Sequence, residues 1–239
     1  MGISLTSCQF ENDSNTYYII GTAYVLEDEQ EPTRGRVLVL SVTGGSGGTS
    51  NGDGGDEDGD ADMTSSSSSS GGGSSNERRV VLMTSIETRG AVYCLEPFQG
   101  MLLAGVNSKT QLYKWIPANT PETTSSTTSS STSSTSSNSS TSNTASSVTC
   151  ELKSVCGHHG HILALYIKSH GDFIIVGDLM KSISLLIYKP LENSIDEIAR
   201  DYNASWMTSI AILDDDTYIG SDNSFNLFTA CKDIGKLKW

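Results

Sequence analysis

The stretch "GDFIIVGDLMKSISLLIYKP", residues 171–190, decides the fold. Two apolar runs, Phe173–Val176 and Ile183–Tyr188, flank a short polar segment that holds Gly177, Asp178, Lys181 and Ser182. Short apolar runs bounded by turn residues read as a β-hairpin. Both strands, however, carry apolar side chains on both faces. An antiparallel pair at a protein surface shows water one polar face. This one shows none, so both of its faces must be covered.

The same plan recurs along the chain. "GAVYCLEPFQGMLLAGVNSKTQLYKW" (90–115), "HILALYIKSHGDFIIVGDLMKSISLLIYKP" (161–190) and "WMTSIAILDDDTYIGSDNSFNLFTACKD" (206–233) each read as strand, turn, strand, turn, strand. Gly171 and Asp216 hold matching turn positions 45 residues apart. More polar strand-like runs fill the gaps: "RVVLMTSIET" (79–88), "CELKSVC" (150–156) and "DEIARDY" (196–202). They suit the outermost strand of a unit, at its edge. An earlier unit shows in "TYYIIGTAYVL" (16–26) and "GRVLVLSV" (35–42). A period of about 40–45 residues with several short strands per unit is the signature of propeller blades. The expected fold is therefore all-β: an incomplete β-propeller of about three to four blades of antiparallel strands, one partial domain over 1–239. Blades pack face to face, which explains the hairpin. Ile183, Leu185 and Ile187 are expected to face one neighbouring blade, Leu186 and Tyr188 the other.

Two stretches do not fit any blade. Residues 43–77 are mostly Gly, Ser and Asp, and residues 117–149 are dominated by Ser and Thr. Such composition buries too little apolar surface to offset chain entropy, so both are expected to be disordered inserts. The formal net charge is −13, and six of the acids fall within 53–62. An acidic surface repels phosphate backbones and disfavours unaided nucleic-acid binding. Protein partners are expected instead. The five cysteines are odd in number and show no framework spacing, which suits free thiols in a reducing compartment. No apolar run approaches the length of a membrane span and no signal peptide is visible, so a soluble intracellular protein without a membrane partner is expected.

The runs "YYIIGTAYVL", "EPTRGRVLVL", "GHHGHILALY", "GDFIIVGDLMKSISLLIYKP", "EIARDYNASWM" and "ILDDDTYIG" resemble the third propeller of the DNA damage-binding protein 1 family. The likeness runs from about Ser4 to Asp233 and is broken only by the two inserts. The large subunits of a pre-mRNA cleavage/polyadenylation factor and of a splicing factor belong to the same superfamily. The resemblance implies an adaptor of a cullin–RING ubiquitin ligase, linked to DNA repair and protein ubiquitination, in the nucleus and also the cytoplasm. It implies WD-repeat substrate receptors as partners. It implies a cullin reached only through propellers missing from this chain, and damaged DNA reached indirectly through a partner. The alternative is a propeller scaffold in an RNA-processing complex.

An adaptor needs a shaped surface with a few anchors rather than a catalytic group. By resemblance, Leu165, Tyr166, Lys181, Arg200, Asn203 and Trp206 match family positions at or near the receptor-facing side. Each also has a packing reading. Leu165 and Tyr166 suit an inter-blade contact, Trp206 a plug at a blade junction, and Arg200 an ion pair at a strand edge. "CGHHGH" (156–161) brings Cys156, His158, His159 and His161 close together, but their spacing fits no standard zinc module and a turn is expected. "GGSGG" (44–48) and "DEDGDAD" (56–62) imitate a nucleophile elbow and a calcium loop, without the flanking helices those require. "MGISLT" fits a myristoylation pattern, yet "ISLTSCQF" reads as a strand. Paired catalytic carboxylates and a phosphate-binding loop are not seen in the sequence. No enzyme activity, cofactor or metal is expected.

Overall fold

The computed structural model describes residues 1–11, 13–43, 78–117 and 150–232. Among them are fifteen β-strands and no helix. The strands form four antiparallel sheets. Blade 1 is β1 (Gly2–Gln9), β2 (Thr16–Thr22), β3 (Gly35–Thr43) and β4 (Arg79–Thr88). Blade 2 is β5 (Val92–Phe98), β6 (Met101–Val106), β7 (Lys109–Pro117) and β8 (Cys150–His159). Blade 3 is β9 (Ala164–His170), β10 (Phe173–Asp178), β11 (Ile183–Lys189) and β12 (Ser194–Arg200). Blade 4 is β13 (Met207–Ile212), β14 (Thr217–Asp222) and β15 (Leu227–Cys231). Each sheet runs in chain order from its first strand to its last. This is an incomplete β-propeller. Val42–Val81 forms a second, smaller unit.

The opening hairpin is β10–β11, paired from Phe173 with Ile187 to Gly177 with Ile183. Its two faces enter different cores, as expected. Leu186 and Tyr188 join Phe98, Leu103 and Leu112 of blade 2. Ile183 and Leu185 join Met207, Ile210 and Tyr218 of blade 4. A third cluster joins Ile19, Val37 and Val39 of blade 1 to Val92, Leu102 and Trp115 of blade 2. Within it Phe10 stacks on Trp115 with ring centroids 4.9 Å apart. All six residues of β6 are buried, while β2 buries alternate residues only. The strands between two blades are thus the ones with no wet side. Burying a single Leu, Ile or Val side chain contributes roughly 1.5–3 kcal/mol, so these shared clusters dominate the stability of the stack.

Consecutive connections alternate between two edges of the blades. The turns between first and second strands lie on one edge, and hydrogen bonds link them from blade to blade. Glu11 N–H donates to Gly100 O at 2.9 Å, and Gln99 Nε2 donates to Gly171 O at 2.9 Å. Gly100 has φ +72, and a Cβ there would come within 2.9 Å of Glu11 N. Only glycine meets both demands. The opposite edge, here the loop edge, carries the connections 23–34, 89–91, 107–108, 160–163, 179–182, 201–206 and 223–226. It is stitched likewise: Asn107 Nδ2 donates to Pro32 O at 3.0 Å, and Ala164 N–H to Asn107 O at 2.8 Å.

The expected insert boundaries shift slightly. Thr43 and Pro117 are the last residues of β3 and β7 rather than the first of an insert. Pro117 pairs with Cys150 in the β7–β8 ladder, so pairing continues past the change in composition. Residues 44–77 and 118–149, with "GGSGG" and "DEDGDAD", lie outside the described residues. "ISLTSCQF" falls in β1 and its end, paired with β2.

Candidate partner-docking face

All six sequence-predicted anchors lie at or beside the loop edge, though not in one role. Leu165 and Tyr166 open β9, immediately after the 160–163 loop. Tyr166 packs against the blade 3–blade 4 core, in keeping with the packing reading. Leu165 is half-buried. Lys181, in the β10–β11 turn, reaches Gly160 O with its Nζ at 3.4 Å. Arg200, at the end of β12, donates to the same oxygen at 2.9 Å and to Glu197 Oε2 at 2.5 Å. Its side chain is only 15% exposed. These two cations therefore converge on the backbone of the 160–163 loop. Asn203 is exposed and folds back on Asp201, donating from its N–H at 3.1 Å and its Nδ2 at 2.8 Å. Trp206 is 49% exposed, and its carbonyl accepts from Asn223 N–H at 3.0 Å.

Arg200, Asp201 and Asn203 also line a cavity of about 650 Å³ between blades 3 and 4. Its far wall comes from Tyr218, Phe228 and Lys232. Lys232 is held there by Asp216 at 2.8 Å and sits 3.9 Å from the centroid of the Phe173 ring.

Reasoning from sequence passed over part of this edge. Ile162, Met180, Tyr202 and Phe225 are exposed apolar residues at the tips of four of its loops. Tyr24, Val25 and Leu26 add an exposed apolar trio at a fifth. The available signal was an apolar residue inside a polar turn, which has no packing reason to be there. Isolated exposed apolar residues are ordinary, but a series along one edge marks a surface that meets something else.

The histidine cluster sits under the same edge. His158 and His161 meet edge-on with ring centroids 5.7 Å apart, and His158 Nε2 is 3.4 Å from Glu197 Oε2. The His161 side chain is completely buried, and burial pulls its pKa down to about 4. Asp178, 3.7 Å away, pulls the other way and is outweighed. His161 is therefore neutral near pH 7, and its approach to Asp178 is not an ion pair. Among the described residues no three His, Cys, Asp or Glu side chains form a metal-holding group. Cys8, Cys94, Cys156 and Cys231 are free thiols. Burial pushes Cys94 up to about 12 and Cys8 up to about 11, which makes both poor nucleophiles.

The family model described as the CPSF A subunit region matches residues 1–141 and 147–233. The chain belongs to this family. DNA damage-binding protein 1b of Arabidopsis thaliana is 46% identical to it over 231 residues. DNA damage-binding protein 1 of Solanum lycopersicum is 45% identical and that of Oryza sativa subsp. japonica 43%, each over the same length. Those matches cover 97% of this chain and 16% of each relative. The chain spans about a sixth of the length of the curated relatives it matches. The resemblance read from its motifs is borne out, and the match to the CPSF A subunit region fits the superfamily expected for it.

Proposed function

We propose that this chain is a substrate-receptor docking module of a cullin–RING ubiquitin ligase adaptor, a scaffold rather than an enzyme. The observation that carries the proposal is the loop edge: a braced row of loops whose tips are Tyr202, Trp206, Met180 and Ile162. Similarity to DNA damage-binding protein 1 over nearly the whole chain supports assigning that edge to receptors. WD-repeat proteins are the proposed partners, and the proposed locations are nucleus and cytoplasm. Damaged DNA is reached through a partner, in keeping with a net charge of −13. Cullin is reached through segments other than this one.

Within this proposal the six anchors divide. Trp206 and Asn203 are exposed and meet the partner directly, with Leu165 at their margin. Lys181 and Arg200 spend their cationic groups on Gly160 O and brace the 160–163 loop. Tyr166 supports the edge from below. Affinity capture from nuclear extract tests the reading, with the full chain as bait and Tyr202→Ala plus Trp206→Ala as control. WD-repeat receptors recovered by the wild type and lost by the control are the expected result. Recovery of RNA-processing subunits instead would assign the chain to the other branch of its superfamily.

A further inference from the structure

Two carboxylates, Asp178 buried and Asp201 half-buried behind the loop tips, determine the shape of the docking surface. Asp178, the last residue of β10, is wholly buried. Its Oδ1 accepts the N–H groups of Met180 at 2.9 Å and Lys181 at 3.1 Å. Its Oδ2 accepts the N–H of Ile162 at 2.6 Å. One side chain thereby fixes two loops, 179–182 and 160–163. The Asp178 N–H donates to Ser182 O at 2.9 Å and closes the turn, with Ser182 in the left-handed region at φ +57. Ser182 then ties in a third loop. Its Oγ donates to Asp201 Oδ2 at 2.7 Å and its N–H to Ser205 O at 3.1 Å. Asp201 in turn holds Asn203 through Oδ1.

We propose that Asp178, Ser182 and Asp201 are positioning residues that lock the three loops into the shape a protein partner meets. The inference rests on reading the loop edge as the docking face. The β10–β11 hairpin does not depend on this frame: Ile174, Val176 and Leu186 hold it in one core and Ile175 and Leu185 in the other. The side-chain partners of Asp178, by contrast, are all loop amides. A buried carboxylate is tolerated where its oxygens are satisfied, so the loops and the carboxylate hold each other in place. Ordering the loops on folding removes that entropy cost from binding. A face that is competent only part of the time binds more weakly in proportion to its competent fraction.

The test uses the full chain carrying Asp178→Asn or Ser182→Ala, with binding measured to the WD-repeat receptor that the wild type captures. Asn replaces one acceptor oxygen by an NH2 group facing an amide donor. The expected result is loss of hydrogen-exchange protection at Ile162, Met180 and Lys181, to the rate of a loop that is open most of the time, with Ile174 and Val176 unchanged. Receptor affinity then falls in proportion to the fraction of time the loops stay closed. Ser182→Ala keeps the argument testable should Asp178→Asn not fold: it is expected to free 201–206 and weaken binding severalfold at an unchanged melting temperature. Lost protection with wild-type affinity overturns the inference, and so does unchanged exchange. If Tyr202→Ala plus Trp206→Ala also leaves binding intact, the docking face itself is wrong. Sensitivity to that pair alone means only the positioning role is wrong.

Discussion

His161 shows how a single residue reports its surroundings. Its folded pKa of about 4 lies below the ordinary 6.5 because burial penalises the charged ring. Between those values the unfolded chain holds a proton that the folded chain does not, so stability falls as pH falls through that window. The full displacement corresponds to on the order of 3 kcal/mol, lost progressively from pH 6.5 down to about 4. His161→Gln is expected to flatten this part of the pH–stability curve, as thermal melts of both proteins at pH 7 and pH 4.5 will show. The thiols make a second residue-scale prediction. Cys231 is exposed, whereas Cys94 is packed with its pKa pushed up to about 12. Mass spectrometry after brief alkylation of the native protein should find label on Cys231 and none on Cys94; the reverse order would contradict the assigned burial. The CGHHGH run was visible in the sequence, but the role of its last histidine was not. That role depends on burial beside Asp178, which only the fold brings about.

At the scale of elements, the hairpin from which the fold was read is also where truncation costs most. Leu186 is fully buried between blades 2 and 3, so Leu186→Ala is expected to destabilise by about 2–5 kcal/mol in a urea titration. Strands were legible wherever burial on both faces, or alternation against one neighbour, imposed a pattern on the side chains. The more polar outer strands were legible too, because β4, β8 and β12 each close a sheet with one side unpaired. The run through Leu26 was less so. Its β-rich composition continues, but β2 ends at Thr22, and Tyr24, Val25 and Leu26 are exposed. Composition likewise misplaced the ends of β3 and β7 by one residue, since a ladder stops where its partner stops. The β7–β8 connection leaves from Pro117 and Cys150, on the edge opposite the docking loops. Replacing 44–77 and 118–149 by short turns should therefore leave receptor capture unchanged. Loss of capture from a soluble, shortened protein would count against this.

For the molecule as a whole, repetition made the blades readable and could not make the docking face readable to the same degree. A core repeats because every blade has the same neighbours to satisfy. Binding residues do not repeat, so a period does not reveal them. Asn203 and Trp206 were reached through resemblance. Tyr202, 91% exposed, carries no periodic signal, and Arg200 turned out to face inward. The inward turn matters for choosing a control. Arg200→Glu would set a carboxylate against Glu197 and damage the brace, whereas Tyr202 and Trp206 are open enough to change without disturbing the core. The most direct test of the adaptor reading is therefore quantitative capture of WD-repeat receptors from nuclear extract by the full chain and by its Tyr202→Ala plus Trp206→Ala variant, at matched thermal stability. Receptors enriched by the wild type and lost from the variant are the predicted result. Equal recovery by both, or no receptor with either folded bait, would contradict it.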